Sequence, residues 1–434
     1  MPGADLICKL KKELLTAQNR KHVPRRGQLV RKRPASYREL KAKRSDEYTG
    51  PEVRKKVKKN THATRNPASK SAMPTSELTA YSALVDAGYL SKTPHRCPTC
   101  RCGALSEPYC SSGRVVVRCD MFGCQSYHNV IKFSNLKTLA ERQRPGRGST
   151  PMALHGALKD YTSLVSGNAA RSSQVSCTQG KHKQAYAKLF QELRQLEADE
   201  AHCENKRIKL AGDLQTQKNV EGDGTVLRKM HVSAKNPHYQ KEMGEALERL
   251  KRRGKLPARG VPHWTAHIRY AALCERGGRI TIVALPMRLV CPGGPPPPEA
   301  FEELRDSKLL DRCHPRAYLF TDGAHSWPKL AKAHNKLRKT RLRLQEVAHY
   351  KGQYTRSLAK TAKDQSTIAG TQSLDSRWRW LKAYVPHSIK ARIDRQTNAE
   401  LDQYVFSYQF RANVKAKGEN LWLELGKLVA KRKQ

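Results

Sequence analysis

Apolar and polar positions alternate most clearly between residues 220 and 415. Two segments there, residues 265–273 and 279–289, are rich in β-branched and aliphatic side chains, a composition typical of strands. Gly277 and Gly278 lie between the two segments and favour a tight turn. The pattern predicts a β-hairpin.

A further apolar run, residues 317–320, ends just before Asp322 and predicts a buried strand. Helical spacing then follows through Trp327, and an acidic helix over 299–304 precedes the strand after a proline-rich break. Residues 373–385 and 398–414 also predict helices. This order of strands and helices predicts an α/β fold, with a mixed sheet flanked by helices.

The region before this fold has a different pattern. Residues 76–90 predict a short helix capped by Thr75 or Ser76. Residues 149–212 have helical spacing, interrupted at 166–179 by a stretch rich in Ser, Gly, Asn and Gln. Two interpretations stay open for this helical segment: a helix-turn-helix that reads DNA, or helices joined by a linker.

Charge changes the picture more than any other property of the composition. The chain has 83 Lys and Arg against 38 Asp and Glu, a formal charge of +45, so a polyanion such as nucleic acid is the expected partner. Residues 1–70 hold 21 basic and 6 acidic residues with few large apolar ones, which predicts a disordered arm. Its densest basic run, 53–59, has two readings: a nuclear import signal or a tail that binds phosphates.

No stretch of the sequence reaches the roughly 18 apolar residues that a bilayer span needs. The first residues lack the apolar core of a secretory signal. We therefore expect a protein that is neither secreted nor bound in a membrane. In a eukaryotic source its place would be the nucleus, and otherwise the cytoplasm or nucleoid.

Six of the twelve cysteines are crowded between residues 97 and 124. Cys97 and Cys100 form a CxxC pair, and Cys119 and Cys124 follow after eighteen intervening residues that include the strand-like Arg114-Val115-Val116-Val117. Two cysteine pairs joined by a hairpin are typical of a zinc ribbon, in which four thiolates hold a structural Zn²⁺. Three nearby side chains remain alternative ligands: Cys102, Cys110 and His128.

Three isolated acidic residues, Asp223, Asp322 and Asp375, stand in order in this basic chain. Carboxylates at strand ends and on a helix face are how a nuclease core of the RNase-H type holds two divalent cations against a phosphodiester. Hard cations such as Mg²⁺ prefer these oxygen ligands. Each residue alone also has a structural explanation, because Asp is favoured in turns beside Gly and near helix starts.

Several motifs in order resemble those of the ISXO-two-like insertion-sequence transposases, which are related to the eukaryotic Merlin elements. The resemblance covers about residues 93–415. Its elements are the cysteine cluster, the helical segment ending in Leu193-Arg194, and the stretches VEGDGT, YLFTDGAHSW, VAHYKGQY and TQSLDSRWRWLK, which begin at residues 220, 318, 347 and 371.

The resemblance implies a zinc ribbon joined to a DDE integrase core. It implies that Asp223, Asp322 and Asp375 bind two catalytic ions, Mg²⁺ or Mn²⁺. It also places His349, Gln372 and Lys382 next to the site or the substrate. Arg411 and Asn413 match an element that we interpret as structural.

The chain also departs from the family pattern at the site. The third acid is Asp375 where the family has Glu, Gln372 stands in place of Asn, and Gly224 follows Asp223 where the family has a second acid. The interval of 52 residues between Asp322 and Asp375 is long, which predicts an inserted basic loop over 338–363. A shorter third acid changes the reach of the carboxylate, and errors near 1 Å in position can lower a rate about a hundredfold.

The sequence therefore predicts five regions. They are a disordered basic arm (1–92), a zinc ribbon (93–134), a helical DNA-binding or linker segment (135–214), an RNase-H-like DDE core (215–415) and a basic C-terminal end (416–434). The first hypothesis is a transposase-like protein that cleaves DNA ends and joins them to target DNA, with a homo-oligomer left open. The alternatives are a catalytically inactive DNA-binding protein derived from such an enzyme, and an RNA-associated basic zinc protein.

Overall fold

The computed structural model describes residues 74–140, 150–163, 183–211, 219–254, 263–291, 294, 296–347, 356–357, 368–389 and 398–432. All of them belong to one compact unit, Pro74–Gln434. The basic arm predicted for residues 1–92 lies outside the described residues as far as residue 73. Its last part contains a helix, Glu77–Asp86.

The architecture is mixed α/β, with ten strands and ten α-helices in the described residues. The strands are β1 (Tyr109–Ser111), β2 (Arg114–Arg118), β3 (Tyr127–Asn129), β4 (Val220–Ser233), β5 (His263–Glu275), β6 (Ile280–Val290), β7 (Tyr318–Thr321), β8 (Arg343–Glu346), β9 (Arg356–Ser357) and β10 (Ile368–Ala369). The helices are α1 (Glu77–Asp86), α2 (Lys137–Ala140), α3 (Pro151–Ser163), α4 (Lys183–Arg207), α5 (Gln240–Arg252), α6 (Phe301–Asp306), α7 (Ser326–Arg338), α8 (Gln372–Tyr384), α9 (Ala399–Ala416) and α10 (Leu421–Lys431).

The main sheet has five strands in the order β6-β5-β4-β7-β8. β4, β5 and β6 pair antiparallel, whereas β7 runs parallel to β4 and β8 runs parallel to β7. The predicted hairpin is confirmed, and Gly277 in its turn has a φ of +66°, in the left-handed region that glycine tolerates. The strand before Asp322 and the helix through Trp327 are confirmed as β7 and α7.

The sequence predictions of local structure missed three elements. The segment predicted as an inserted basic loop contains β8, which completes one edge of the sheet beside β7. The basic C-terminal end contains α10, whose buried Leu425 and Val429 join the main core, because its apolar positions recur at helical spacing between the lysines. Helix α5, with Met243 and Ala246 buried, was not predicted.

The long helix α4 lies along α9, and a buried polar group joins them. Arg411 of α9 is 2% exposed and forms an ion pair with the fully buried Glu197 of α4 at 3.0 Å. Tyr161 of α3 donates a hydrogen bond to the same carboxylate at 2.9 Å, and Ser407 donates another. Because a buried carboxylate needs such partners, this group fixes the helical segment against the rest of the fold.

Helix α9 also covers the outer edge of strand β6. Asn413 accepts a hydrogen bond from the backbone N–H of Ile280 at 2.7 Å and donates one to the Ile280 carbonyl at 3.0 Å. Gln409 accepts a bond from the N–H of Ile282 at 2.8 Å. The side-chain amides thus replace a sixth strand, and they protect an edge that would otherwise be open to pairing. This agrees with the structural interpretation of Arg411 and Asn413.

Candidate functional site

The cysteine cluster adjoins the short strands β1, β2 and β3, which form a three-stranded antiparallel sheet. Cys97 and Cys100 precede β1, and Cys119 and Cys124 lie between β2 and β3. The Sγ atoms of Cys97, Cys100, Cys119 and Cys124 all lie within 4.8 Å of one another. Two loops bring the pairs together, one closed by Arg101 N–H donating to the Cys97 carbonyl at 2.8 Å and the other by Cys124 N–H donating to the Met121 carbonyl at 2.9 Å. Four convergent thiols in two loops are compatible with a structural zinc site.

Hydrogen-bond donors around the thiols favour the thiolate form at one side of the cluster. Burial opposes ionisation of Cys97, but hydrogen bonds from Ser126, the backbone of Cys100 and Thr99, and His128 lower its pKa to about 5. Backbone N–H groups of Gly103 and Cys102 lower the pKa of Cys100. Burial raises the pKa of Cys119 to about 12, so this thiol in particular needs a cation to become a ligand.

The structure decides among the alternative zinc ligands. Cys102 and Cys110 are exposed and lie outside the group of four. His128 is buried, with Nε2 at 3.3 Å from the Cys97 Sγ and 3.0 Å from the Ser126 Oγ. His128 therefore contacts Cys97, one of the candidate zinc ligands, but is not itself a member of the group of four.

The first acidic residue, Asp223, lies within β4 and not after it, as the fourth residue of that strand. It is half-buried. The indole Nε1–H of Trp378, on helix α8, donates a hydrogen bond to its Oδ2 at 3.0 Å. Trp378 is 4% exposed, so packing of the indole in the core fixes the orientation of the carboxylate.

Asp322 directly follows β7, and Asp375 lies in the first turn of α8. Gly222 of β4 is opposite Thr321 of β7 in the parallel register, so Asp223 and Asp322 are one residue further on along neighbouring strands. Burial raises the pKa of Asp223 well above its usual value, and the charges of Asp322, Glu299 and Asp375 raise it further. The fold therefore brings these carboxylates close enough for their charges to act on one another.

The side chain of Asp375 is exposed, and the Thr371 hydroxyl lies 3.4 Å from its Oδ2. Another acidic residue, Glu221, holds α8, the helix that carries Asp375, in position. Glu221 is fully buried, accepts a bond from the N–H of Leu374 at 2.8 Å and pairs with Arg276 at 2.7 Å. Leu374, Trp378 and Leu381 form the buried side of α8, as their spacing predicts.

A fourth carboxylate, Glu299, was not found by sequence reasoning. A Cβ added at Gly224 would lie only 1.8 Å from the Glu299 Oε1, so the carboxylate fills the space above this glycine. Burial and the charge of Asp322 raise the pKa of Glu299. The Ser326 hydroxyl donates to the Glu299 carbonyl, which ties the segment to the start of α7. The one signal in the sequence was the glycine after Asp223.

The remaining predicted residues lie as follows. Gln372 and Lys382 are exposed on α8, and His349 lies outside the described residues. Trp378 and Trp422 are buried, whereas Trp380 is 48% exposed.

The cysteine cluster and the acidic residues differ in how closely their potential ligand atoms approach one another. Among the described residues, the four cysteines are the single group of three or more Cys, His, Asp or Glu side chains with ligand atoms all within 4.8 Å of one another. The acidic side chains are spaced more widely.

Comparisons with protein-family models, curated proteins and solved structures find no match to this chain. None of the helices in the described part of the chain is both long enough and apolar enough to cross a bilayer.

Proposed function

We propose that this protein is a DNA transposase-like polynucleotidyl transferase with an RNase-H-like core. The observation that carries the proposal is the position of the acidic residues in the sheet. Asp223 lies on the central strand β4, Asp322 ends the parallel neighbour β7, and Asp375 lies on a helix packed against β4 through Trp378. The strand order β6-β5-β4-β7-β8 agrees with such a core.

The donor set fits divalent cations. Burial raises the pKa values of Asp223 and Glu299, and repulsion from neighbouring carboxylates raises them further. Oxygen-binding cations relieve that repulsion. Mg²⁺ or Mn²⁺ ions, when bound, would activate the attacking hydroxyl and stabilise the leaving oxygen. Asp223, Asp322 and Asp375 would hold them, while the Trp378 indole keeps the Asp223 carboxylate in one orientation.

The four cysteines would hold a structural Zn²⁺ in a zinc ribbon. The segment around them has a small apolar cluster of its own, formed by the buried Val115, Val117 and Val130 with partly buried neighbours. Such a core is too small to stabilise a three-stranded sheet alone, so the metal would supply much of the folding energy. With a chain charge of +45, DNA is the proposed polyanionic partner.

A nicking assay on supercoiled plasmid tests the enzyme proposal. We expect nicks in the presence of Mg²⁺ or Mn²⁺, none in EDTA, and none for Asp322→Asn. Asp306→Asn is the matched control, because Asp306 is an exposed aspartate on α6 and its loss should leave nicking unchanged. No cleavage by the wild type, or cleavage that persists in Asp322→Asn, would reject the proposal.

One observation favours the second candidate, an inactive DNA-binding protein. Asp375 is exposed, and its side chain is one methylene shorter than the glutamate implied by the resemblance. Tight, salt-sensitive DNA binding without metal-dependent cleavage would support this candidate.

A further inference from the structure

The small sheet β1–β3 has two different faces. Val115 and Val117 point to the inner face and are fully buried in the cluster with Val130. Because side chains alternate along a strand, their neighbours Arg114 and Arg118 lie on the opposite face. Register places Tyr127 directly opposite Arg118, and Tyr109 opposite Val116. The outer face therefore carries two tyrosines and two arginines, which lie around the buried Val116 and Asn129.

Three aromatic side chains on this face or in the loop that joins β2 to β3 are exposed to solvent. Tyr127 is 58% exposed and Tyr109 is 36% exposed. Phe122, in the loop between Cys119 and Cys124, is 92% exposed. Neither the cysteine cluster nor the apolar core needs these rings, and exposed aromatics are costly unless a partner covers them.

Cationic groups lie among the rings. The Arg118 guanidinium lies 5.4 Å from the centre of the Tyr127 ring and donates a hydrogen bond to Gln125 at 2.9 Å. In the described part of the chain, neither Arg118 nor Arg114 has a carboxylate within 4.0 Å. Arg101, beside the first cysteine pair, is exposed as well.

Flat rings next to unpaired arginines match one kind of ligand in particular. Every base has a π-face that stacks on an aromatic ring, and the phosphates between bases pair with arginine. In duplex DNA the faces of the bases are covered by their neighbours, so exposed rings gain little there. A strand with unpaired bases offers both the π-faces and the charge.

We propose that the aromatic face, defined as Tyr109, Arg114, Arg118 and Tyr127 with the adjoining Phe122, binds single-stranded nucleic acid by stacking on its bases. The inference deepens the proposed function, since it needs a nucleic-acid partner, but it does not need cleavage. It assigns to the cysteine module the capture of unpaired DNA, such as a strand that is opened or cut.

The test compares single-stranded and duplex binding by the full-length protein. The probe is a labelled 12-nucleotide single strand of mixed sequence, and the reference is a duplex of the same sequence. For the double variant Phe122→Ala and Tyr127→Ala, we expect single-strand affinity to fall about 10-fold or more, since stacking contributes ~1–3 kcal/mol per base. Duplex affinity should change less than about twofold.

Leu337→Ala is the matched control, because Leu337 is a 77% exposed apolar residue on α7 and its loss should change neither affinity. Tyr127→Trp should retain or increase single-strand binding, since a larger ring stacks better. Zinc content of each variant checks that the module is intact.

Two results would overturn the inference: unchanged single-strand affinity in the double variant, or equal losses for single strand and duplex. Asp322→Asn separates this failure from failure of the enzyme proposal. It should abolish nicking and leave single-strand binding unchanged.

Discussion

Asp223→Asn should make the metal-free protein more stable, although it removes a residue of the proposed site. The substitution keeps an oxygen that can accept the hydrogen bond from Trp378, which is 3.0 Å long in the wild type. It removes one negative charge from the group formed by Asp223, Asp322, Asp375 and Glu299. Folding buries the Asp223 carboxylate and brings it near the other carboxylates, and burial followed by repulsion raises its pKa. The variant loses that repulsion.

The magnitude follows from the sheet. Asp223 and Asp322 follow paired residues on neighbouring strands, which lie ~4.8 Å apart, so a carboxylate separation of ~6 Å is a reasonable working distance. Coulomb repulsion at that distance is ~3 kcal/mol at an effective dielectric constant of ~20 and ~0.7 kcal/mol in water. For a half-buried group we expect a gain of about 1–2 kcal/mol in the free energy of unfolding.

The gain also has a defined pH dependence. Because the folded pKa of Asp223 lies above its unfolded value, the folded protein binds the proton more tightly. Stability of the wild type therefore falls as pH rises from about 4, the ordinary pKa of aspartate, through the folded pKa. The difference between variant and wild type should be small near pH 4 and reach its full size above the folded pKa.

Urea unfolding in EDTA, followed by circular dichroism at several pH values, measures this difference. Adding Mn²⁺ at tenfold its Kd should stabilise the wild type by about 1.4 kcal/mol and the variant by much less. Asp306→Asn serves as the charge-matched control. If Asp223→Asn destabilises the metal-free protein at neutral pH, or if Mn²⁺ stabilises both forms equally, the carboxylates are not a strained cation site.

Three further predictions concern the framework of the site. Cys119→Ser should abolish binding of one zinc ion per chain, measured by elemental analysis, and should make the cysteine module sensitive to protease. Asn413→Ala should lower the free energy of unfolding by about 2–3 kcal/mol, because it leaves buried backbone groups of Ile280 unpaired. It should also increase aggregation by light scattering, which an exposed-site change such as Lys415→Ala should not do. Glu197→Ala should cost about 3–5 kcal/mol in urea unfolding, because it leaves Arg411 buried without its ion pair, and a loss below 1 kcal/mol would contradict this interpretation.

Local structure could be predicted where composition and spacing agree. The hairpin of β5 and β6 was recognised from its β-branched runs around Gly277, and α8 from the spacing of Leu374, Trp378 and Leu381. Strand β8 was missed because three of its four residues, Arg343–Glu346, are polar, and only pairing with β7 makes them a strand.

In the candidate site, too, some features could be predicted from local sequence and others depend on the folded structure. Four cysteines were chosen from six by spacing, yet the exposure of Cys102 and Cys110 is a property of the folded loops. Glu299 was missed since its approach depends on the empty space above Gly224, 75 positions earlier in the chain. No local pattern records which side chain fills a space made by a distant glycine.

The sequence by itself determined the order of strands and helices, the excess of positive charge and the residue types that can bind metals. These depend on side chains close together in the chain or on their sum. The tertiary structure alone decided which acidic residues lie near one another, which thiols converge and which aromatic rings stay exposed. Each of these depends on burial and on contacts between residues far apart in sequence, which exist only once the sheet and its covering helices have packed.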